Sequence, residues 1–419
     1  MRILMFTNTY LPHVGGVARA VHTSASDLRA RGHEVRIIAP EYPDAARDAN
    51  VIRVPAIQNW NGSGFSMSLP LPGLLDDLMK EFLPDLIHSN HPFLLGNTAI
   101  RVAAERGLPL VFTHHTLYEH YLHYMAEDSP ALRRAARDLS REYCNLCDGI
   151  LAPSESLARL LRRRGVVKPI TVAPTGVDAI PPGGGNRLQA RARLQLPAGS
   201  FVVGHVGRLA REKNLRFLAK AVAAYLKRDS SAWFLVAGAG PEEQMMRRIF
   251  TLSGAPDRVR FPGVQSGGEL ADIYAAMDVF AFASRSETQG LVLAEAMSAG
   301  IPVVALDAPG VREVVRDEWN GRKLQSAGVE TFVAGLEWIR KVSPQTRSDL
   351  SLHAMETARG FSRKACLETL LAAYAAALSV YPEKAPARHN TWPAVLRRIQ
   401  AEWKLFGIKA AALGELLIT

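Results

Sequence analysis

The sequence has few cysteines and no long apolar run, and both deficits narrow the class of protein. Its 419 residues include 3 cysteines, too few for a disulfide framework, which favours a reducing compartment. No run reaches the roughly 20 apolar residues of a membrane span. The opening segment MRILMFTNTYLP lacks the apolar core and cleavage site of a signal peptide. We therefore expect a cytoplasmic protein, with peripheral attachment to the inner face of the membrane left open.

Signatures for metals, dinucleotides and nucleic acids are also missing. Cys144 and Cys147 form a C-x-x-C pair, but no second pair completes a zinc site, so packing explains them better. The lone Gly15-Gly16 pair is not the three-glycine dinucleotide fingerprint. The formal net charge is +10, yet no nucleic-acid module appears. The charge fits an anionic partner, whether a nucleotide phosphate, a lipid headgroup or a nucleic acid, but does not choose among them.

The sequence instead contains two series of short β-branched runs that alternate with helical patterns. This alternation predicts parallel sheets covered by helices on both faces. A Pro- and Gly-rich segment at 179–200 separates the series and is interpreted as a linker. The fold class is therefore α/β, with two Rossmann-like lobes facing a central cleft. In such sheets ligands bind beyond the carboxyl ends of the strands.

Two glutamates mark the candidate site of the second lobe. Glu287 follows the apolar strand VFAFAS, and a helix is predicted to begin near Gly290, so that Glu295 lies in its early turns. A helix N-terminus attracts an anion, and two flanking carboxylates suit hydroxyls on either side of a phosphate. A sugar nucleotide has this layout. The spacing alone equally allows a capping glutamate and a solvated one.

Other residues at strand ends favour the sugar-nucleotide interpretation. Arg208 and Lys213 follow the first strand of the second lobe, where two cations can hold a diphosphate. Gly15 and Gly16 follow the first strand of the chain and leave room for a phosphate. A further strand of the first lobe ends in His114 and His115, with tyrosines after them, which indicates a site.

Taken together, the segments FTHHT, PTGVD, GRLAREKN, GAGPEE and SETQGLVLAEAMSAG resemble the retaining glycosyltransferases of family four, which share the GT-B fold. The E-x7-E signature of that family corresponds to Glu287 and Glu295. The resemblance implies that Glu287 holds the donor sugar, Glu295 the ribose, and Arg208 with Lys213 the diphosphate, while His115 contacts the sugar near the reacting centre. The implied donor-binding residues are Gly15, Gly16, Arg208, Lys213, Val264, Glu287, Thr288, Gly290, Leu291 and Glu295.

The resemblance also implies the domain organisation and the reaction. The expected parts are an acceptor-side domain at 1–178, a sugar-nucleotide domain at 179–360, a helix at 361–382 that crosses back to the first lobe, and an amphipathic tail at 383–419. A hexose moves from UDP- or GDP-hexose to a hydroxyl with retained configuration. No Asp-x-Asp motif precedes the site, so we expect no metal and no cofactor.

The acceptor is predicted from the segment HHTLYEHYLHY, which resembles the diacylglycerol glucosyltransferases and phosphatidylinositol mannosyltransferases of the family. This resemblance implies a lipid acceptor and an anionic membrane surface as partners. The tail carries one apolar stripe, which equally fits an interfacial helix and a helix docked on its own protein. The residues expected on the acceptor side are His114, Tyr118, Tyr121 and Tyr124.

Three alternatives stay open at this stage. The acceptor could be soluble or a polysaccharide, the enzyme could be a GT-B sugar-nucleotide epimerase, or the protein could be a non-catalytic sugar-nucleotide sensor. The sequence does not determine the nucleotide base, the sugar, the linkage or the oligomeric state.

Overall fold

The structure is a computed structural model, and it divides into two compact units. One unit joins Met1–Gly176 to Cys366–Thr419, and the other is Val177–Ala365. The described residues are 1–13, 15–57, 67–68, 81–120, 129–180, 186–381, 400, 402, 404, 405 and 407.

The first unit contains a parallel sheet of seven strands in the order β3-β2-β1-β6-β7-β8-β9. A short antiparallel pair, β4 with β5, accompanies it. The strands are β1 (Arg2–Phe6), β2 (Glu34–Pro40), β3 (Val51–Val54), β4 (Ala56–Ile57), β5 (Met67–Ser68), β6 (Leu86–Ser89), β7 (Leu110–Thr113), β8 (Gly149–Ala152) and β9 (Ile170–Val172). The helices are α1 (Gly16–Ala30), α2 (Leu95–Arg106), α3 (Pro130–Leu146) and α4 (Glu155–Arg163).

The second unit contains a parallel sheet of six strands in the order β12-β11-β10-β13-β14-β15. Its strands are β10 (Phe201–Val206), β11 (Ala232–Ala237), β12 (Val259–Gly263), β13 (Val279–Phe282), β14 (Val303–Leu306) and β15 (Gly321–Leu324). The helices are α5 (Arg187–Arg193), α6 (Leu215–Arg228), α7 (Glu243–Leu252), α8 (Gly267–Ala276), α9 (Leu291–Ser298), α10 (Val329–Lys341) and α11 (Pro344–Arg359).

The central strands confirm the expectation of parallel sheets covered on both faces. Ile3, Leu4 and Met5 alternate in direction along β1, yet each is fully buried. The same holds along β13. A strand buried on both faces has to be apolar throughout, and this requirement produces the continuous β-branched runs in the sequence.

The segment predicted to be a linker contains a helix. Asn186 caps α5, because its side chain accepts hydrogen bonds from the backbone amides of Leu188 and Gln189, at 3.0 and 3.3 Å. Arg191 in this helix is buried and bonds the Asp278 carboxylate at 2.7 Å. The Pro and Gly content therefore predicted only a linker, whereas the segment forms a helix that is tied to the second unit by the Arg191–Asp278 ion pair.

The last helix, α12 (Arg363–Ser379), packs on the first unit from Cys366 onwards. Leu367, Leu370 and Tyr374 join the core cluster that also contains β1 and β2 side chains. The Tyr374 hydroxyl bonds His88 Nδ1 at 2.7 Å inside this core. The predicted return of the final helix to the first lobe is therefore present in the fold.

The few described tail residues also contact the first unit. Leu405 is 3% exposed and belongs to the core cluster of β6, β7 and β8. Glu402 Oε2 accepts a hydrogen bond from Arg101 Nη2 at 3.2 Å. At these positions the tail is docked on its own protein. Across the described residues, no helix has the length and apolar character needed to cross a membrane.

Candidate active site

Each sheet reverses its strand order once along its width, and polar loops follow the strands on either side of the reversal. In the second unit the reversal lies between β10 and β13, which pair through Val203 with Val279 and Gly204 with Phe280. The loops that follow these two strands leave from the same sheet edge. A crevice forms at such a switch point in open parallel sheets, and ligands bind there.

Lys213 and Glu287 meet at this edge. Lys213 Nζ lies 2.5 Å from Glu287 Oε1, although the two residues are 74 positions apart in the chain. Their side chains are 21% and 17% exposed, so the ion pair is partly shielded from solvent but open on one side. Burial would raise the pKa of Glu287, but the charge and hydrogen bond of Lys213 outweigh it and the net pKa is lowered. Glu287 is therefore an anion beside a fixed cation.

The N-terminus of α9 lies directly after Glu287. Gly290 caps the helix with a φ of 74°, a left-handed conformation that favours glycine. Gly290 has no side chain that could cap this end, so the first amides of the helix can bind an anion. A Cβ on Gly310 would lie 3.0 Å from the Glu287 carbonyl oxygen, so close packing holds the Glu287 loop in place. The predicted helix start near Gly290 is correct, and Thr288 and Leu291 flank it half-buried.

Arg208 occupies the same loop as Lys213 but is bonded differently. Its guanidinium pairs with Glu212, one helical turn later, and its side chain is 44% exposed. The Glu212 carbonyl oxygen accepts the Ser286 hydroxyl at 3.2 Å, which ties this loop to the loop of Glu287. Arg208 thus lies in the loop of Lys213, and its side chain is more exposed than those of the Lys213–Glu287 pair.

Glu295 and Val264 are placed differently from Glu287. Glu295 lies in the second turn of α9, is 3% exposed, and accepts a hydrogen bond from the Tyr274 hydroxyl at 2.9 Å. Val264 follows β12 and is 59% exposed. A ribose would therefore reach Glu295 only at the few per cent of its surface that is open, whereas Val264 can present its backbone to a base.

His205 is a buried residue near the site that the sequence pattern did not reveal. Its Nδ1 lies 3.1 Å from the Ala281 carbonyl, so Nδ1 carries the proton and Nε2 is an acceptor. Its ring stacks on Phe280 and Phe282 at 6.0 and 6.2 Å. Burial lowers the pKa of His205 to about 4, with a smaller raising contribution from the Ala281 hydrogen bond. His205 is a neutral residue beneath the loop of Gly207.

The first unit gathers asparagine and histidine side chains at its own switch point, between β1 and β6. The backbone N–H of Asn8 donates to His91 Nδ1 at 3.0 Å. Asn90 Oδ1 lies 2.9 Å from His115 Nε2. An amide oxygen only accepts, so His115 donates from Nε2 and keeps Nδ1 as an acceptor. Burial, then the nearby His91, lower the pKa of His115 well below its ordinary value. The sequence analysis named His115 but not Asn8, Asn90 or His91, although Asn90 and His91 stand in the letters SNH at the end of β6.

The other first-unit candidates are placed as follows. His114 is 1% exposed and its Nε2 lies 2.9 Å from the Ser140 hydroxyl, which points it into the protein. Tyr118 is 9% exposed, with its ring edge against Phe93 at 4.9 Å.

Gly15 is the N-cap of α1 and Gly16 is its first residue, and a Cβ on Gly16 would meet no atom within 4 Å. Tyr121 and Tyr124 lie outside the described residues.

The C-x-x-C pair has a structural place. Cys144 and Cys147 are fully buried and unbonded to each other, and the Cys147 thiol donates to the Tyr143 carbonyl at 3.3 Å. No group of three or more His, Cys, Asp or Glu side chains that could hold a metal occurs in the described part of the chain.

Comparison with known proteins identifies the family. A family model described as Glycosyltransferase Family 4 matches residues 14–179, and one described as Glycosyl transferases group 1 matches residues 186–355. The chain belongs to glycosyltransferase family 4. This glycosyltransferase is therefore an enzyme that moves a sugar from a nucleotide sugar to a hydroxyl acceptor.

Several known proteins are similar over most of their length. The chain is 31% identical to an alpha-monoglucosyldiacylglycerol synthase of Streptococcus pneumoniae, over 77% of this chain and 74% of that protein. It is 32% identical to a D-inositol 3-phosphate glycosyltransferase of Actinosynnema mirum, over 88% and 94%. The solved structure of a sucrose-phosphate synthase from Thermosynechococcus elongatus matches with a TM-score of 0.75 and 21% identity, over 90% and 99%. This likeness and the two parallel sheets show the GT-B fold.

Proposed function

We propose that this glycosyltransferase moves a hexose from UDP- or GDP-hexose to the hydroxyl of a membrane lipid such as diacylglycerol, with retained configuration. The observation that carries the proposal is the Lys213–Glu287 pair of 2.5 Å beside the N-terminus of α9. The lipid acceptor rests on the similarity to the Streptococcus pneumoniae enzyme, whose name states that activity.

The charges of the pair fit the two parts of the donor. When the sugar C1–O bond breaks, negative charge grows on the diphosphate, and Lys213, Arg208 and the amides of α9 supply fixed positive potential there. Glu287 accepts hydrogen bonds from the hydroxyls of the transferred sugar. The acceptor oxygen forms the new bond on the same face, and its proton passes to the departing phosphate oxygen.

The first unit serves the same reaction through neutral groups. His115 keeps Nδ1 as an acceptor because Asn90 binds Nε2, and its lowered pKa leaves it uncharged at neutral pH. A neutral imidazole of this kind can accept a sugar hydroxyl without attracting the diphosphate. Gly15 and Gly16, at the uncapped start of α1, offer backbone amides to the donor.

An anionic membrane surface is proposed to hold the enzyme near its lipid. Helix α3 buries Ala135, Tyr143 and Cys144 on one side and exposes Arg133 and Arg137 on the other. Two exposed arginines one turn apart attract anionic headgroups, each by about 1 kcal/mol. The test is sedimentation with vesicles of anionic or neutral phospholipid.

For that test the variant is Arg133→Glu/Arg137→Glu. The matched control is Arg216→Glu/Lys220→Glu, two exposed cations with the same spacing on α6. Binding to anionic vesicles should fall in the first variant and persist in the control. Equal binding by both proteins would show that α3 does not contribute to vesicle binding.

The donor and acceptor are tested in sequence. Thermal stabilisation by a set of nucleotide sugars selects the donor, and that donor in labelled form is incubated with diacylglycerol micelles. We expect a labelled glycolipid from the wild type and from Lys220→Ala, and none from Glu287→Gln. Product from Glu287→Gln at the wild-type rate would contradict the role of the pair.

A second candidate is transfer to a soluble acceptor, favoured by the 32% identity to the Actinosynnema mirum enzyme named for D-inositol 3-phosphate. The same labelled donor separates the two, because a soluble glycoside stays in the aqueous phase and a glycolipid partitions into organic solvent. Conversion of the donor sugar without any acceptor would instead indicate an epimerase.

A further inference from the structure

A pocket lined by arginines lies in the second unit, at the end of β10 and β13 that is opposite to the Lys213–Glu287 pair. It opens where β10 and β13 begin and has a volume of about 310 Å³, at the small end of the roughly 300–1,000 Å³ range of ligand pockets. Four arginines and one aspartate give its lining a formal charge of +3. The charged residues are Arg187, Arg191, Asp278, Arg340 and Arg347.

The single acid of the pocket is already neutralised. Asp278 bonds Arg191 at 2.7 Å, pairs with Arg187, and accepts the Val202 amide at 2.7 Å. Arg191 is 3% exposed and directs its remaining donors at backbone carbonyls, including that of Ser200 at 3.0 Å. The Asp278 carboxylate and these carbonyl oxygens therefore already accept hydrogen bonds, which reduces their repulsion of an entering anion.

Two arginines keep donors that the protein does not use. Within the described residues, Arg347 donates from Nη2 to two carbonyls, the nearer being Ile339 at 2.8 Å, and pairs with no carboxylate. Arg340 pairs with Asp229 through Nε at 3.4 Å, and its Nη2 lies 3.5 Å from the Ser231 hydroxyl, which leaves Nη1 for a ligand. Both guanidiniums lie over the Phe201 ring, at 5.3 and 5.9 Å from its centroid. This stacking orients them before any ligand arrives.

The turn at Gly199 leaves the pocket open. A Cβ on Gly199 would meet no atom within 4 Å, and the residue has no positive φ. A side chain at this position would therefore enter free space without backbone strain. An aspartate at this lining position therefore adds a negative charge beside the arginines without removing any existing interaction.

We propose that this pocket, the arginine pocket, binds a small phosphate ester or inorganic phosphate, separately from the donor. Guanidinium donors in a fixed arrangement match phosphate oxygens. The ligand bridges Arg340 and Arg347 against the turn at Gly199. Because β10 and β13 begin here and end at the loops of Lys213 and Glu287, a bound phosphate stabilises the unit that carries the catalytic pair.

The experiment titrates the full-length protein with inorganic phosphate and glycerol phosphate and follows the thermal midpoint. The variants are Arg340→Gln, which removes one guanidinium, and Gly199→Asp, which adds a negative charge to the open space. Arg248→Gln, an exposed arginine of α7, is the matched control. Lys213→Ala separates the arginine pocket from the donor site.

The expected shift persists in Arg248→Gln and Lys213→Ala, requires about tenfold more phosphate in Arg340→Gln, and disappears in Gly199→Asp. Loss in Lys213→Ala with retention in Gly199→Asp would place the anion at the donor site and overturn the proposal. A shift with phosphatidic acid vesicles alone, and none with soluble phosphate, would also overturn the proposal, because α3 offers the vesicles a separate binding surface. No shift with either source overturns it as well.

Discussion

Each unit places polar side chains at the carboxyl ends of its central strands. The group in the first unit is neutral, and the group in the second unit is charged. In the first unit, burial lowers the pKa of His88 and His91 to about 3, so both are uncharged at neutral pH. In the second unit, Glu287 has a lowered pKa beside Lys213 and stays ionised. The same topology therefore holds neutral imidazoles in one unit and an ion pair in the other.

The difference arises from the partners that the sequence supplies. His88 is bonded by the hydroxyls of Thr113 and Tyr374, at 2.7 Å each, and hydroxyls cannot compensate a buried charge. Glu287 meets the ammonium of Lys213, and the cation does compensate it. A buried titratable group takes the charge state that its immediate partners stabilise.

The largest expected effect comes from removing the charged pair. Lys213→Ala and Glu287→Ala should each lower turnover by roughly 10²–10³-fold, because fixed charges lose their contact with the transition state. The double variant should lose far less than the product of the two single losses, since each partner acts through the other. Steady-state kinetics with saturating donor measure all four proteins.

The control for this cycle is Lys220→Ala, an exposed lysine on α6. Thermal midpoints of the four proteins exclude unfolding as the cause. Additive losses in the double variant would mean that the two residues act independently, and the comparison between a charged and a neutral cluster would lose its physical basis.

The next effect separates two adjacent histidines of the neutral cluster. His115→Ala should lower kcat/KM by roughly 10–100-fold through loss of one hydrogen bond to substrate. His114→Ala should mainly lower the free energy of unfolding, by about 1–3 kcal/mol, because it leaves the buried Ser140 hydroxyl unpaired. Initial rates and urea unfolding on both variants make the test. If His114→Ala has the larger kinetic effect, the substrate contact is made by His114 and not by His115.

Acid stability gives a smaller effect that also distinguishes the clusters. Since the folded pKa of His88 is about 3 against about 6.5 unfolded, the unfolded chain binds the extra proton. Stability is therefore unaffected above pH 6.5 and falls between pH 6.5 and 3, by about 1.4 kcal/mol per pH unit for one such histidine. Urea unfolding at several pH values should show a shallower decline in His88→Gln than in wild type.

The exposed His120 provides the control, as His120→Gln. Glu287 affects stability at lower pH than His88. Because its folded pKa is lowered, its contribution to stability is present above its unfolded pKa and is lost as the pH falls through the folded pKa. A decline of unchanged slope in His88→Gln would show that His88 is not the neutral buried group described here.

Much of the fold could be predicted from the sequence because central parallel strands must be apolar on both faces. The runs that became β1, β10 and β13 carry this signal directly. The edge strands β3 and β15 were missed, since the letters VIRV and GRKL mix charge and glycine with apolar residues, as edge strands often do. Their assignment depends on a neighbour that only the folded sheet supplies.

The sequence assigned Lys213 and Glu287 to the same donor molecule, but it did not predict that the two side chains contact each other. The helix start at Gly290 follows from local rules. The 2.5 Å approach of Lys213 to Glu287 depends on β10 and β13 being adjacent, which strand order along the chain does not reveal. His205 gave no signal at all, because a histidine inside an apolar strand resembles ordinary core packing.

The smallest expected effect is that of metal removal, and it tests whether the charged cluster is complete. Charge that grows on a diphosphate must be neutralised by protein cations or by a divalent ion. In the proposed mechanism, Lys213, Arg208 and the N-terminus of α9 supply that potential. Turnover should therefore be the same in EDTA, in Mg²⁺ and in Mn²⁺. If activity disappears in EDTA and returns with Mg²⁺, an ion supplies part of the positive potential, and the second unit's cluster is only a portion of the charged site.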